Sequence, residues 1–179
     1  VERKCSSSPR SGEKECYHAI VAHSGIRQAM LEVSRLYNTL FFVSAGNSSQ
    51  KIPQYSLPSQ GILVVGSTTK DKKIASHSNH GPGVDVYLPE VGIYGLTAKG
   101  VGSPQVGTSF TTPVATAAAA LTYRYLKNSG VNLTPGQFMP LVLNSSQSEP
   151  ELLRDTSSGR MFNFRKLAEE AQKLRPTGR

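Results

Sequence analysis

The stretch "LFFVSAGN", residues 40–47, decides the fold. Leu40 to Val43 are apolar without a break, and the run stops at a Gly-Asn pair. A strand with one wet face alternates apolar and polar residues. An unbroken run predicts a strand covered on both faces, as in a parallel sheet. "ILVVGST", residues 62–68, repeats the pattern, and "VDVYLP", residues 84–89, predicts a third strand. "YHAIVAH", residues 17–23, reads as a further short strand.

Outside these runs the apolar residues take helical spacing. Ser24 offers an N-cap before "GIRQAMLEVSRLY", where Ile26, Met30, Val33 and Tyr37 mark one face. From about Ser109 to Lys127 an Ala-, Thr- and Val-rich segment predicts a long helix, closed by Gly130. "LTPGQFMPLVLNSS" predicts a second, with Thr134 as N-cap and Pro135 in the first helical position. "FNFRKLAEEAQKL" predicts a third, and the turn-rich "GIYGLTAKGVGSPQVG" leaves room for a short hairpin. Helices alternating with buried strands predict an α/β layered sandwich around a mostly parallel sheet.

Composition narrows the function classes. At 179 residues the chain can bury one domain core. No apolar run nears the roughly 20 residues of a membrane helix, so no membrane partner is expected. The net charge of +8 is scattered, apart from six basic against two acidic residues over 160–179. No basic stripe with interleaved aromatics is present, so no nucleic-acid partner is expected. Cys5 and Cys16 flank a short polar loop, and a disulfide and two free thiols both stay open; two cysteines are too few for a zinc site. No metal site or cofactor is evident. The first residue is Val1, and "VERKCSSSPRSGEKEC" has no signal-peptide core, so the chain is expected to begin partway through a longer polypeptide. Residues 1–16 read as a polar N-terminal loop, 17–174 as the domain and 175–179 as a basic tail.

The chemistry concentrates at "VGTSFTTPVATAAAAL", residues 106–121. A serine hydroxyl needs a base to take its proton and donors for the oxyanion that follows. At a helix N-terminus, Ser109 has unpaired N–H groups and a favourable dipole around it. Gly107 lets the backbone approach a substrate. The plain alternative is a serine that caps an alanine-rich helix. Asn47 ends a buried strand, where the cleft of an open parallel sheet lies, and its carboxamide suits an oxyanion. The plain alternative there is an asparagine in a left-handed turn.

Taken together, the motifs resemble those of the subtilases, the subtilisin-like serine peptidase family. "GTSFTTPVATAAAAL" resembles the Gly-Thr-Ser-x-Ala-x-Pro nucleophile motif, and "FFVSAGNSS" resembles the strand ending in Ala-Gly-Asn. "YSLPSQGILVVGSTTKDKKIASHSNHGPGVDVYLP" is similar to the segment joining them, and the last two predicted helices match in order. The resemblance runs from about residue 24 to 172. It implies a subtilisin-like three-layer sandwich whose N-terminal part is missing. It implies Ser109 as nucleophile and Asn47 as side-chain oxyanion donor. Ser44, Ala45, Gly46, Gly107 and Thr108 are then substrate-binding residues. The implied reaction is peptide-bond hydrolysis through an acyl-enzyme on a protein or peptide substrate. Secretion and structural calcium are further implications of the family.

The departures matter as much. Asp-x-Gly and His-Gly-x-His, the contexts of the family's aspartate and histidine, are absent. His18, His23, His77 and His80 are expected to be structural or solvent-facing; His77 and His80 stand where aromatic residues are usual. Glu90 replaces a glycine and Ala117 another, and neither is expected to touch the chemistry. Ala117 is expected to tighten a helix contact. The domain's own missing N-terminal part is therefore an expected partner, and the isolated chain is expected to be inactive, with an exposed sheet edge. The alternative is a non-catalytic subtilase-like domain that binds or supports. Asn132 and Asn144 fit the glycosylation pattern, as does Asn47, whose oxyanion role would exclude a sugar.

Overall fold

The computed structural model describes residues 24–54, 61–96, 98, 100, 102–153, 156 and 159–176. The loop 1–16, the strand at 17–23, both cysteines, His18 and His23 lie outside the described residues, as do 177–179 of the tail.

Among the described residues five strands form one sheet: β1 (Phe41–Ser44), β2 (Ile62–Thr68), β3 (Val86–Pro89), β6 (Gln147–Ser148) and β7 (Arg160–Met161), in the order β1-β2-β3-β7-β6. The first three run parallel, with Val43 opposite Val64 and Val65 opposite Val86. β7 extends them parallel to β3, and β6 closes antiparallel on β7. The sheet is thus mixed but mostly parallel. The predicted hairpin is present as β4 (Tyr94–Leu96) and β5 (Gly102–Pro104).

Why "ILVVGST" shows no alternation is now plain: all seven residues are buried, and the two parities face different cores. Leu63 and Val65 pack with Val86 and Leu88 against α2 (Thr108–Asn128), α3 (Pro135–Ser145) and α5 (Phe164–Lys173). Ile62 and Val64 pack with Val43 and Tyr87 on the opposite face, toward α1 (Ser24–Tyr37). Helices on both faces make the three layers.

The structure differs from expectation in three respects. On α1 the predicted stripe splits: Ile26, Val33 and Tyr37 are exposed, and of its four residues only Met30 faces the sheet. The face toward the sheet carries Met30, Leu31 and the buried Ser34. Contact is too close there for a larger side chain: a Cβ on Gly61 would lie 2.0 Å from the Ser34 oxygen. Ala117 is exposed, and Ala115 and Ala119 make the tight contact with the sheet. The strands β6 and β7 and the short helix α4 (Pro150–Leu153) were not legible, because two- to four-residue elements carry no period. Thr134 does cap α3, its N–H donating to Gln137 Oε1 at 2.9 Å, and Asn163 caps α5.

Candidate active site

The parallel strands deliver Asn47 and Ser109 to the same end of the sheet. Asn47 follows β1, whose hydrogen bonding continues to Ala45, the N–H of which donates to Val65 O at 2.8 Å. Gly46 then turns with φ +97°, a conformation that L side chains resist. Ser109 is the second residue of α2 and is exposed. The N-cap position belongs to Gly107, so Ser109 does not cap the helix.

Thr108 joins the two halves. Its N–H and its hydroxyl both lie 3.0 Å from Asn47 Oδ1, and the hydroxyl accepts from Gly46 N–H at 3.2 Å. A backbone N–H can only donate, so the carboxamide oxygen must face Thr108. Nδ2 is therefore the group left over, and among the described residues it donates to no protein atom. A Cβ on Gly107 would lie 3.3 Å from Nδ2. The glycine, at φ +123°, keeps that side open. Among the described residues the Ser109 N–H likewise has no partner, being one of the unpaired donors of the first helical turn. Two donors without a protein partner thus stand at the Asn47–Thr108 contact, one of them on Ser109 itself, and donors so placed can hold a developing oxyanion.

The helix is built to leave this turn open. Pro113 cannot donate to the Ser109 carbonyl four residues earlier. Hydroxyls stitch the turn instead: Thr112 Oγ1 donates to Thr108 O at 2.7 Å, and Thr111 Oγ1 does so at 3.2 Å. Ser109 borders an open, largely apolar cavity of about 700 Å³, with Ser44, Phe41, Thr112 and Ala117 among its walls.

The turn that carries Asn47 is itself held from behind. Asn79 is fully buried, and its side chain spans the 45–50 turn. Nδ2 donates to Ala45 O at 2.8 Å, while Oδ1 accepts from Ser48 N–H and Gln50 N–H at 3.0 Å each. Its own N–H donates to Gly46 O at 2.9 Å. Asn79 lies in the segment similar to that of the subtilases, but the work of a buried asparagine is invisible until its partners are known.

Glu90 reaches the site indirectly. Its Oε2 accepts from Gly107 N–H at 3.1 Å, on the loop that carries Ser109. The same oxygen lies 3.2 Å from His77 Nε2, so His77 is tied to the site as well. Farther back, Asp85 accepts from Val64 N–H at 2.7 Å under β2. Burial pushes its carboxyl up to about 7, against the lowering effects of that hydrogen bond and of Arg160.

The mostly parallel α/β sheet thus brings a serine at a helix mouth and an asparagine at a strand end to one side of the fold. The family model of the subtilases matches residues 4–166, and the chain belongs to that family. It is 30% identical over 142 residues to the extracellular basic protease of Dichelobacter nodosus, covering 74% of this chain and 23% of that protein. With the cell wall-associated protease of Bacillus subtilis (strain 168) it shares 34% over 86 residues, 48% of this chain and 10% of the relative. The chain therefore spans under a quarter of the curated relatives it matches.

Among solved structures, the prenylagaramide maturation protease PagA superposes with a TM-score of 0.69 at 24% identity, over 82% of this chain and 56% of that one. A cold adapted subtilisin-like serine proteinase gives 0.59 at 27% identity, over 76% and 48%. These likenesses fit the subtilisin-like, mostly parallel architecture described above. No helix among the described residues is long and apolar enough to cross a membrane.

Proposed function

We propose that this chain supplies the nucleophile and the oxyanion donors of a secreted serine endopeptidase. Ser109 Oγ attacks the peptide carbonyl carbon while a histidine takes its proton. Asn47 Nδ2 and the Ser109 N–H hold the oxyanion, the amine leaves, and water then releases the acyl group. Ser44 and Gly46 border the substrate residue before the scissile bond, whereas Ala45, expected to join them, is fully buried in the core. The aspartate and histidine have no counterpart in the 179 residues and belong to polypeptide outside them, the N-terminal part of the same domain. The isolated chain is accordingly inactive. The extracellular and cell wall-associated relatives support secretion.

The observation that carries this reading is the locked carboxamide of Asn47. Two donors from Thr108, the residue before the serine, commit its oxygen and leave its nitrogen free. The test is labelling of the full-length protein with a fluorophosphonate probe, together with hydrolysis of a protein substrate. Ser109→Ala abolishes both. Asn47→Ala lowers turnover by ~10²–10³, the loss seen for one oxyanion donor in the relative subtilisin. Full-length protein that neither labels nor hydrolyses, with Ser109 intact, is instead a non-catalytic binding domain.

A further inference from the structure

One loop, residues 75–80, touches both halves of the site. On one side Asn79 grips the 45–50 turn, and His77 O accepts from Ser49 N–H at 3.0 Å. On the other side the His77 ring reaches Glu90, and Glu90 reaches Gly107. Both side chains are sheltered, His77 at 29% and Glu90 at 14% exposure. His77 Nε2 is buried and has no aligned hydrogen bond among the described residues; its nearest acceptor is the Glu90 oxygen. His77 and Glu90 are also two of the positions at which this chain departs from the subtilase pattern. The two departures lie against each other.

We propose that His77 and Glu90 form a matched pair that positions the nucleophile loop. The Glu90 carboxylate clasps the Gly107 N–H, and the His77 imidazole holds that carboxylate in place. The loop 75–80 then sets the separation of Asn47 from Ser109 through two arms, Asn79 and the pair. Gly107 is buried and adopts φ +123°, so its N–H needs a partner and its backbone has no Cβ to restrain it. A charged acceptor makes a hydrogen bond roughly twice as strong as a neutral one. The Gly107 peptide leads straight into Thr108, whose N–H and hydroxyl orient Asn47. A shift of about 1 Å at such a position can cost on the order of 10²-fold in rate. The pair are positioning residues, and their role in catalysis rests on the assignment of Ser109 and Asn47 above.

The experiment uses the full-length protein with ¹⁵N-glycine labelling and two readouts. One is the Gly107 amide resonance, which needs no activity; the other is the rate of fluorophosphonate capture by Ser109. Glu90→Ala moves the Gly107 resonance and slows capture about 10- to 100-fold. Glu90→Gln keeps an acceptor and the shape of the side chain, and restores much of both. His77→Phe moves Gly107 although it never touches it, and adds little on top of Glu90→Ala, since paired residues are non-additive. A Gly107 resonance unmoved by Glu90→Ala or by His77→Phe overturns the pair. So does a moved resonance with capture at the wild-type rate. If Gly107 moves as expected while wild-type protein captures no probe, the pair stands as the clasp on Gly107 and the peptidase assignment alone fails.

Discussion

Removing the Asn79 side chain takes away three hydrogen bonds at once, and it is the substitution whose consequences can be followed furthest. Asn79→Ala leaves Ala45 O without its donor and the N–H groups of Ser48 and Gln50 without their acceptor. Each buried group left unpaired costs roughly 1–3 kcal/mol. Ser48 and Gln50 are only half-buried, and water can replace part of their loss. The expected destabilisation is therefore about 3–5 kcal/mol, far above the ~1 kcal/mol typical of point substitutions. The Asn79 backbone bond to Gly46 survives, so the turn loosens without detaching. Asn47 sits between the released residues, and oxyanion stabilisation falls with its order. Asn79→Asp is the sharper probe. It keeps both acceptor bonds and sets a carboxylate oxygen against Ala45 O. Urea unfolding of the full-length protein reads the stability change as a midpoint shift, and amide exchange at Ser48 and Gln50 reads it locally. A cost below about 1 kcal/mol for Asn79→Ala, with unchanged exchange at both amides, would refute the clamp.

Asp85 carries a pH signature. Its carboxyl titrates near 7 when folded, against 3.8 as the ordinary value, so between those pH values the native state holds a proton that the unfolded chain has lost. Its contribution is full below about pH 4 and is lost as pH rises through about 7, by on the order of 4 kcal/mol. Asp85→Asn removes that slope, and urea midpoints across pH 4–8 should show the wild type losing ground to the variant; a constant gap refutes the shift. Thr108→Val takes the acceptor from Gly46 N–H and one donor from Asn47, and should slow probe capture about tenfold at a stability cost of ~1–2 kcal/mol, while Thr108→Ser changes little. Gly61→Ala strains a residue at φ +83° and drives its Cβ into Ser34, costing about 2–5 kcal/mol by urea unfolding; pairing it with Ser34→Ala should recover part.

Much of the molecule is legible before any coordinates exist. The unbroken apolar run at 62–65 implies a strand covered on both faces, because alternation vanishes when both parities are buried, whereas the run at 40–43 forms an edge strand on which, among the described residues, only Val43 is buried. The Thr134-Pro135 start of α3 follows from local backbone chemistry alone, as does the extent of α2 from Thr108 to the turn at Gly130. Ser109 and Asn47 stand out because short motifs keep their spacing along the chain. What a linear string cannot carry is which distant side chains meet. The splitting of the Ile26 stripe depends on Gly61 admitting only Ser34, 27 residues away. The contact of Glu90 with Gly107 spans 17 residues and that of Asn79 with Ala45 spans 34. Local propensity determines the elements and their order. The orientation of Asn47, and the joining of His77 and Glu90 to the serine loop, arise only when the packed sheet brings its loops to one end and buried polar groups must find partners there.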